Sequence, residues 1–333
     1  MAPRFALHVR KADDVVEQLP KRQFRKLGTR TLSVIGQQEW LDRPSYRFEH
    51  LLSFAYNSLG EARDRVANTL NGVWLGHPVH PPLASLTTGA IGTTVALDAL
   101  SVLPGRPKSE VLDASRFASR ALALGILANL GSAATGVTDW QHTHEEDRRI
   151  GLVHGLLNVL ATILYIRSWW DRRRGKHLRG IGVSALGYGI TVSSSYLGGA
   201  LVFDSGIGID QSGERLHTPD WTPVLPVESL ANGEPRRVEV DGVGVVLCRT
   251  GDGRVAAFGE FCPHLAAPMS DGWVDRGRIV CPWHGSRFDV ESGQVIRGPS
   301  AAPLPRYQAR ISEGMIELRG DGQRAPAAAR GSR

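Results

Sequence analysis

Two short stretches each hold a cysteine and a histidine: Cys262-x-His264 in "FCPHL" and, sixteen residues further on, Cys281-x-x-His284 in "CPWHG". Thiolate sulfur and imidazole nitrogen both bind soft or borderline metals, so four such groups in two loops imply a metal centre. With one thiolate and one imidazole per loop, the set suits a two-iron cluster in which both cysteines hold one iron and both histidines the other. It also suits a structural zinc, which takes two cysteines and two histidines in a tetrahedron. Ligand types alone leave both open. Pro263 and Pro282 follow the cysteines; each fixes φ and has no N–H to donate, which stiffens the loops without competing for sulfur. Gly285 permits a tight turn beside the site. Three cysteines make no disulfide framework, and Cys248, in a β-prone run away from the others, is expected to be an inert buried thiol.

The surroundings decide between the metals. "CPHLAAPMSDGWVDRGRIVCPWHGSRFDVESGQVIRGPSAAPLPRY", residues 262–307, closely resembles the Rieske-type ferredoxins that serve bacterial oxygenases, and the resemblance runs over about 223–318. It includes the FD, SG, GP and PL-x-x-Y elements as well as the four metal-binding positions. The resemblance implies a 2Fe-2S cluster with Cys262 and Cys281 on the inner iron and His264 and His284 on the outer, solvent-facing one. Pro263, Pro282, Trp283, Gly285, Ser286 and Phe288 are then expected to surround it. Trp283 would shield the cluster, and Ser286 resembles a serine of high-potential respiratory members whose hydroxyl reaches a bridging sulfide. Phe288 stands where those members carry a tyrosine bonded to a ligand cysteine. Ala267 and Trp283 stand where they carry a loop disulfide, so the domain is similar to the soluble ferredoxin branch.

Both loops need a rigid frame. After Phe203 the chain breaks into short β-prone runs punctuated by Asp241-Gly242, Asp252-Gly253, Ser292-Gly293 and Glu313-Gly314, the texture of a small antiparallel β domain. Ahead of it lie four apolar segments, 82–103, 117–138, 150–166 and 180–203, near the ~20 residues a membrane span needs. Asp98 and Arg120 are the charges they carry. Glycine is frequent in them, and Trp74, Trp140, Trp169 and Trp170 sit just outside, where rings favour a membrane–water boundary. "NGVWLGHPVHPPLASLTTGAIG" resembles a bacterial four-span membrane family of unknown function whose first span opens with a repeated His-Pro, over about 72–203. Residues 1–75 are polar, and Leu51, Phe54, Ala55 and Leu59 recur at helical spacing, so an amphipathic helix is expected there, on protein or along a membrane surface.

A multidomain chain follows: an amphipathic N-terminal segment (1–75), a four-helix transmembrane bundle (76–203), a linker (204–221), a small all-β iron–sulfur domain (222–320) and a disordered tail (321–333). The 22% of charged residues and formal charge of +6 suit a soluble protein on average, which conceals this division. Four spans put the N-terminal segment, the second loop and the β domain on one face. His77, His80, Asp139, His142, His144 and His154 gather there, and His77, His80, Asp139 and His154 form a candidate site for haem, a metal or a quinone, with His80 and His154 the favoured pair. The first and third loops are rich in arginine and lysine, Arg172 among them, which by the positive-inside rule puts the β domain outside. Cytoplasmic cluster assembly and the lack of a signal peptide argue the reverse, and "KRQFRK" reads as a basic surface segment rather than an export motif. A bacterial cell-membrane protein with its cluster domain on the cytoplasmic side is expected. Its function would be single-electron transfer between a membrane carrier and a redox protein, a reductase or oxygenase, with no nucleic acid involved. A redox sensor without turnover is the alternative. A Rieske oxygenase would need a further iron site, for which Asp139, His142 and His144 are the available residues.

Overall fold

A computed structural model of the chain describes residues 29–105 and 107–321. The basic stretch at 21–26 and the tail from 322 lie outside the described residues. Where one amphipathic helix is expected near the N-terminus, the described residues hold three: α1 (Thr29–Gly36), α2 (Asp42–Ser58) and α3 (Arg63–Asn71). The break comes at Gly60, whose φ of 53° is costly for other residues and opens a 3-10 turn over Gly60–Ala62. Leu51 and Phe54 are 62% and 72% exposed, so no protein covers the expected apolar face. Polar contacts hold α2 instead: Asp42 takes the Arg149 guanidinium at 2.7 and 2.8 Å, Glu49 pairs with buried Arg148, and the Tyr56 and Thr138 hydroxyls meet at 2.7 Å.

Four helices follow, each long and apolar enough to cross a membrane: α4 (His80–Ser101), α5 (Lys108–Trp140), α6 (Glu145–Arg173) and α7 (His177–Phe203). Prolines in the first turn of α4 occupy positions whose N–H would be unpaired in any case. Acidic Glu145, Glu146 and Asp147 open α6 and Arg172 and Arg173 close it, as the helix dipole favours. The helices pack as two hairpins, α4 on α5 and α6 on α7, with less contact between hairpins than within them. Ile91, Leu122, Ala161 and Tyr165 form the buried centre. Near one end, Arg172 donates to Asp98 at 2.7 and 2.5 Å and to Ser184 Oγ at 2.9 Å, all three groups being buried. Arg172 is therefore a bundle residue neutralised by Asp98, not a loop charge. Trp140 also departs from expectation: it is 8% exposed, donates from Nε1 to Arg148 O at 2.9 Å and has the Arg148 guanidinium over its ring. That buried arginine needs a polarisable neighbour, so the indole packs on protein at the end of α5.

The rest of the described chain is β structure. One sheet has six strands in the order β1 (His217–Pro226), β10 (Met315–Asp321), β9 (Arg306–Ser312), β4 (Val255–Gly259), β3 (Val243–Arg249), β2 (Arg236–Val240). The other has four, β5 (Trp273–Asp275), β6 (Arg278–Val280), β7 (Arg287–Asp289) and β8 (Val295–Arg297), and all named pairs are antiparallel. One apolar core, with Val246, Phe258, Ile279 and Phe288, surrounds Cys248, Cys262 and Cys281; a second, with Leu216, Val245, Leu247 and Ile316, supports it from the other face of the larger sheet. Residues 204–216 run packed against both halves. Ser205 Oγ donates to Asp147 Oδ1 at 2.5 Å, Gln211 N donates to Pro263 O at 3.0 Å, and Leu216 is fully buried with its N–H on the Tyr307 hydroxyl.

Candidate metal centre

The two cysteine loops leave β4 and β6 with the same local folding. In the first, Ala266 N donates to Cys262 O and Cys262 N to Ala267 O, both at 2.9 Å; in the second, Gly285 N donates to Cys281 O at 3.2 Å and Cys281 N to Ser286 O at 2.9 Å. Each loop places its fourth residue after the cysteine at positive φ, 58° for Ala266 and 71° for Gly285. Glycine takes that conformation freely, while alanine pays roughly 1–2 kcal/mol for it.

These turns bring the two cysteines together in the core, 1% and 2% exposed. The neighbouring Cys262 lowers Cys281 against the opposing effect of burial, and the N–H groups of Trp283 and His284 act in the same direction. The Cys262 sulfur receives the His264 N–H and a hydrogen bond from Ser286. Ser286 is fully buried, and its oxygen accepts from Ser300 N at 3.0 Å, so the hydroxyl sits on a cysteine sulfur. Phe288 packs in the same core and brings no polar group. Trp283 does not shield the pair: its ring is 57% exposed and stands edge-on to His284, 6.3 Å between centroids. Cys248 is fully buried, its thiol pushed up to about 12 by burial and then by the Glu260 charge.

The histidines cap the cysteines. His264 and His284 lie edge to face with centroids 5.0 Å apart. Burial lowers His264 well below the usual range and pushes His284 down to about 4, so both favour the neutral form that binds metals. His264 Nδ1 is buried with no hydrogen-bond partner. Two adjacent buried sulfurs with amides aimed at them, beside a neutral imidazole with an orphaned nitrogen, fit a bound iron–sulfur centre.

The second loop of the helical bundle meets these histidines. His144 Nε2 lies 3.3 Å from His284 Nε2, with the rings stacked 5.6 Å apart. His142 stands 5.4 Å from His264 and 5.2 Å from His284, centroid to centroid, and burial first pushes it down to about 3. Helix α3 fixes the other side of the contact: Asn68 donates to Ile296 O at 3.0 Å and accepts from Gly298 N at 2.9 Å, while Asp64 pairs with Arg297 at 3.0 Å. Four-span topology puts His142 and His144 on the cluster side of the bundle, and the structure sets them against the cluster loops themselves. The candidate set of His77, His80, Asp139 and His154 divides, with His80 and His154 set inside the bundle and His77 at its surface. His77 is exposed, with Nδ1 on Pro78 O, and Asp139 O accepts from His142 N at 3.3 Å. His80 and His154 lie inside the bundle on Ser132 and Ser194.

Comparison with known proteins agrees with this organisation. Residues 220–308 match the Rieske [2Fe-2S] domain family, and residues 76–211 match a predicted membrane protein family, DUF2231. The ferredoxin component of the naphthalene 1,2-dioxygenase system of Pseudomonas aeruginosa is 33% identical over 104 residues, covering 30% of this chain and 98% of that protein. Apoptosis-inducing factor 3 of Mus musculus is 36% identical over 119 residues, 33% of this chain; the chain spans 20% of the length of that relative. Among solved structures, the ferredoxin of carbazole 1,9a-dioxygenase from Nocardioides aromaticivorans IC177 aligns with 30% identity over 30% of this chain and 96% of its own, with a TM-score of 0.29. A Rieske domain carries a 2Fe-2S cluster and serves in electron transfer. The chain belongs to the Rieske [2Fe-2S] family through residues 220–308, joined behind a four-helix domain whose residues 76–211 match the DUF2231 predicted membrane protein family.

Proposed function

We propose that this is a membrane-anchored Rieske ferredoxin that passes single electrons between a carrier in the membrane and a redox protein. Cys262 and Cys281 hold the inner iron as thiolates, and His264 and His284 hold the outer iron through Nδ1. The orphaned Nδ1 of His264 supports that choice, as does His284 Nε2, already engaged by His144. The cluster supplies one reversible electron. The protein's part is to keep water from the sulfurs, to aim the N–H groups of His264, Trp283 and His284 and the Ser286 hydroxyl at them, and to seat the histidine edge against the 141–144 loop. That seating carries the reading, because it turns the exposed side of the site toward the bundle. The naphthalene dioxygenase ferredoxin is a component of an oxygenase system, and a reductase or oxygenase is the corresponding soluble partner here.

Purified full-length protein should contain iron and acid-labile sulfide in equal amounts, two irons per chain, and show the Rieske resonance when reduced. His264→Ala or His284→Ala should abolish that resonance; stoichiometric zinc without sulfide would overturn the assignment. The same seating favours one alternative, a sensor in which cluster oxidation changes packing on the bundle. Steady electron turnover with a reductase separates the two. His142 and His144 stand against the cluster histidines, which argues against a mononuclear oxygenase iron between them and Asp139.

A further inference from the structure

The bundle is built from two copies of one design. Each hairpin sets a histidine from its first helix against the second: His80 Nδ1 lies 2.8 Å from Ser132 O, and His154 Nδ1 lies 2.8 Å from Ser194 O. Four residues beyond each serine comes a glycine on which the ring packs, Gly136 under His80 and Gly198 under His154. A Cβ there would come within 2.7 and 2.8 Å of the ring. Further along, Thr94 Oγ1 donates to Ala118 O at 3.4 Å in one hairpin and Ser168 Oγ to Gly180 O at 2.7 Å in the other. His80/His154, Thr94/Ser168 and Asp98/Arg172 keep one constant spacing along α4 and α6, and Ser132/Ser194 and Gly136/Gly198 keep another along α5 and α7.

The equivalent residues Asp98 and Arg172 meet, buried, so this side of α4 and this side of α6 both face the middle of the bundle. His80 and His154 each precede them by eighteen residues, five full helical turns, and so point the same way about 27 Å nearer the cluster.

A carbonyl oxygen can only accept, so Nδ1 carries the proton in both rings and Nε2 keeps a lone pair. Histidines held this way by a main-chain carbonyl are set as metal ligands. Asn158 Nδ2 stands 3.2 Å from His154 Nε2, a donor on the lone pair that a ligand would take, and it has two other acceptors, His154 O at 3.0 Å and Ser194 Oγ at 2.9 Å. Two imidazoles do not complete a zinc or copper site, which needs three or four protein ligands. A haem iron brings four nitrogens of its own and needs two axial ligands. The glycines keep side chains away from the rings, and the hairpins touch each other less closely than their own helices do.

We propose that His80 and His154 are the axial ligands of one haem bound between the two hairpins. This supplies the membrane carrier of the function proposed above, and only its link to the cluster rests on that reading. One electron leaving the reduced cluster would convert ferric haem to ferrous, with no atom or proton changing place. From His144 at the cluster edge to His154 is ten residues of chain, about 15 Å along α6.

The test is the full-length protein purified in detergent from cells supplied with a haem precursor. One haem per chain is expected, with the low-spin spectrum of two imidazole ligands. His80→Ala and His154→Ala should each lose that spectrum while the Rieske resonance persists, and His77→Ala should keep both. A low-spin haem retained in both of the first two variants would overturn the proposal. If those variants fail to insert, titration of the native chain with hemin decides: a low-spin Soret shift saturating at one per chain supports the site, and no shift, or a copurifying quinone in place of haem, overturns it. Loss of the cluster resonance with haem retained would instead remove the electron-transfer reading and leave the haem site standing.

Discussion

Ser286 shows how one hydroxyl can tune a buried redox centre. Hydrogen bonds to the sulfurs stabilise the reduced, more negative cluster and raise its potential. Ser286 supplies one such bond to Cys262, and Phe288, in the same core, supplies none. With one of two side-chain bonds present, a midpoint in the lower half of the roughly −150 to +300 mV Rieske range is expected, below about +75 mV. Ser286→Ala should lower it further and Phe288→Tyr raise it, measured by voltammetry; a native midpoint above roughly +200 mV would show that these bonds do not control the potential. Ser286→Ala also leaves the Ser300 N–H without its acceptor, so thermal unfolding should report a loss of about 1–3 kcal/mol. The two cysteine–histidine loops were legible in the sequence because each pair sits in one short stretch whose prolines and turn residue show in the spacing. What Ser286 bonds to was not legible, since the cysteine it reaches belongs to the other loop. Nor was the exposure of Trp283, which depends on how the two loops meet.

Among the elements, α3 is the short helix that ties bundle to β domain. Asn68 pairs with the main chain on both sides of Arg297, donating to Ile296 O and accepting from Gly298 N, as a neighbouring strand would. Asn68→Ala removes both bonds and should weaken the docking by about 1–3 kcal/mol. Faster hydrogen exchange in residues 205–211 and at Gly298, with the Rieske resonance intact, is the expected result; unchanged exchange would mean that the linker and the 141–144 loop hold the domain without α3. The four long apolar helices were legible because a span has a required length and composition. The doubling of the hairpin was not, because only a few histidines, serines and glycines repeat while other equivalent positions hold different side chains, as where Asp98 meets Arg172. Complementary pairs across a symmetry axis erase the sequence repeat that they stabilise. In the N-terminal helices no described residue covers Leu51 and Phe54, which leaves that apolar face for a membrane surface, while Asp42, Glu49 and Tyr56 make the contacts with the bundle.

Over the whole molecule, the bundle core and the two cores of the β domain are separate and are joined by a packed linker and a polar contact, so the halves should part cleanly. The cut must respect Leu216, which is fully buried, and β1, whose His217 and Thr218 pair with Asp321 and Gly320. A fragment of residues 214–321 should therefore be soluble and carry the cluster, while the full chain sediments with membranes and resists carbonate extraction. A full chain that stays in solution without detergent would refute the membrane reading. The two forms should also differ in how small reagents reach the cluster. In the full chain His142 and His144 stand against His264 and His284, and Asp64 holds Arg297 beside the second cysteine loop. The fragment lacks all three partners and presents its histidine edge to water. Oxidation of the reduced cluster by ferricyanide should then be faster in the fragment than in the full chain, and His142→Ala with His144→Ala should move the full chain toward the fragment's rate. Equal rates in all three would mean that the histidine edge is open in solution and that electrons need not pass by way of the loop.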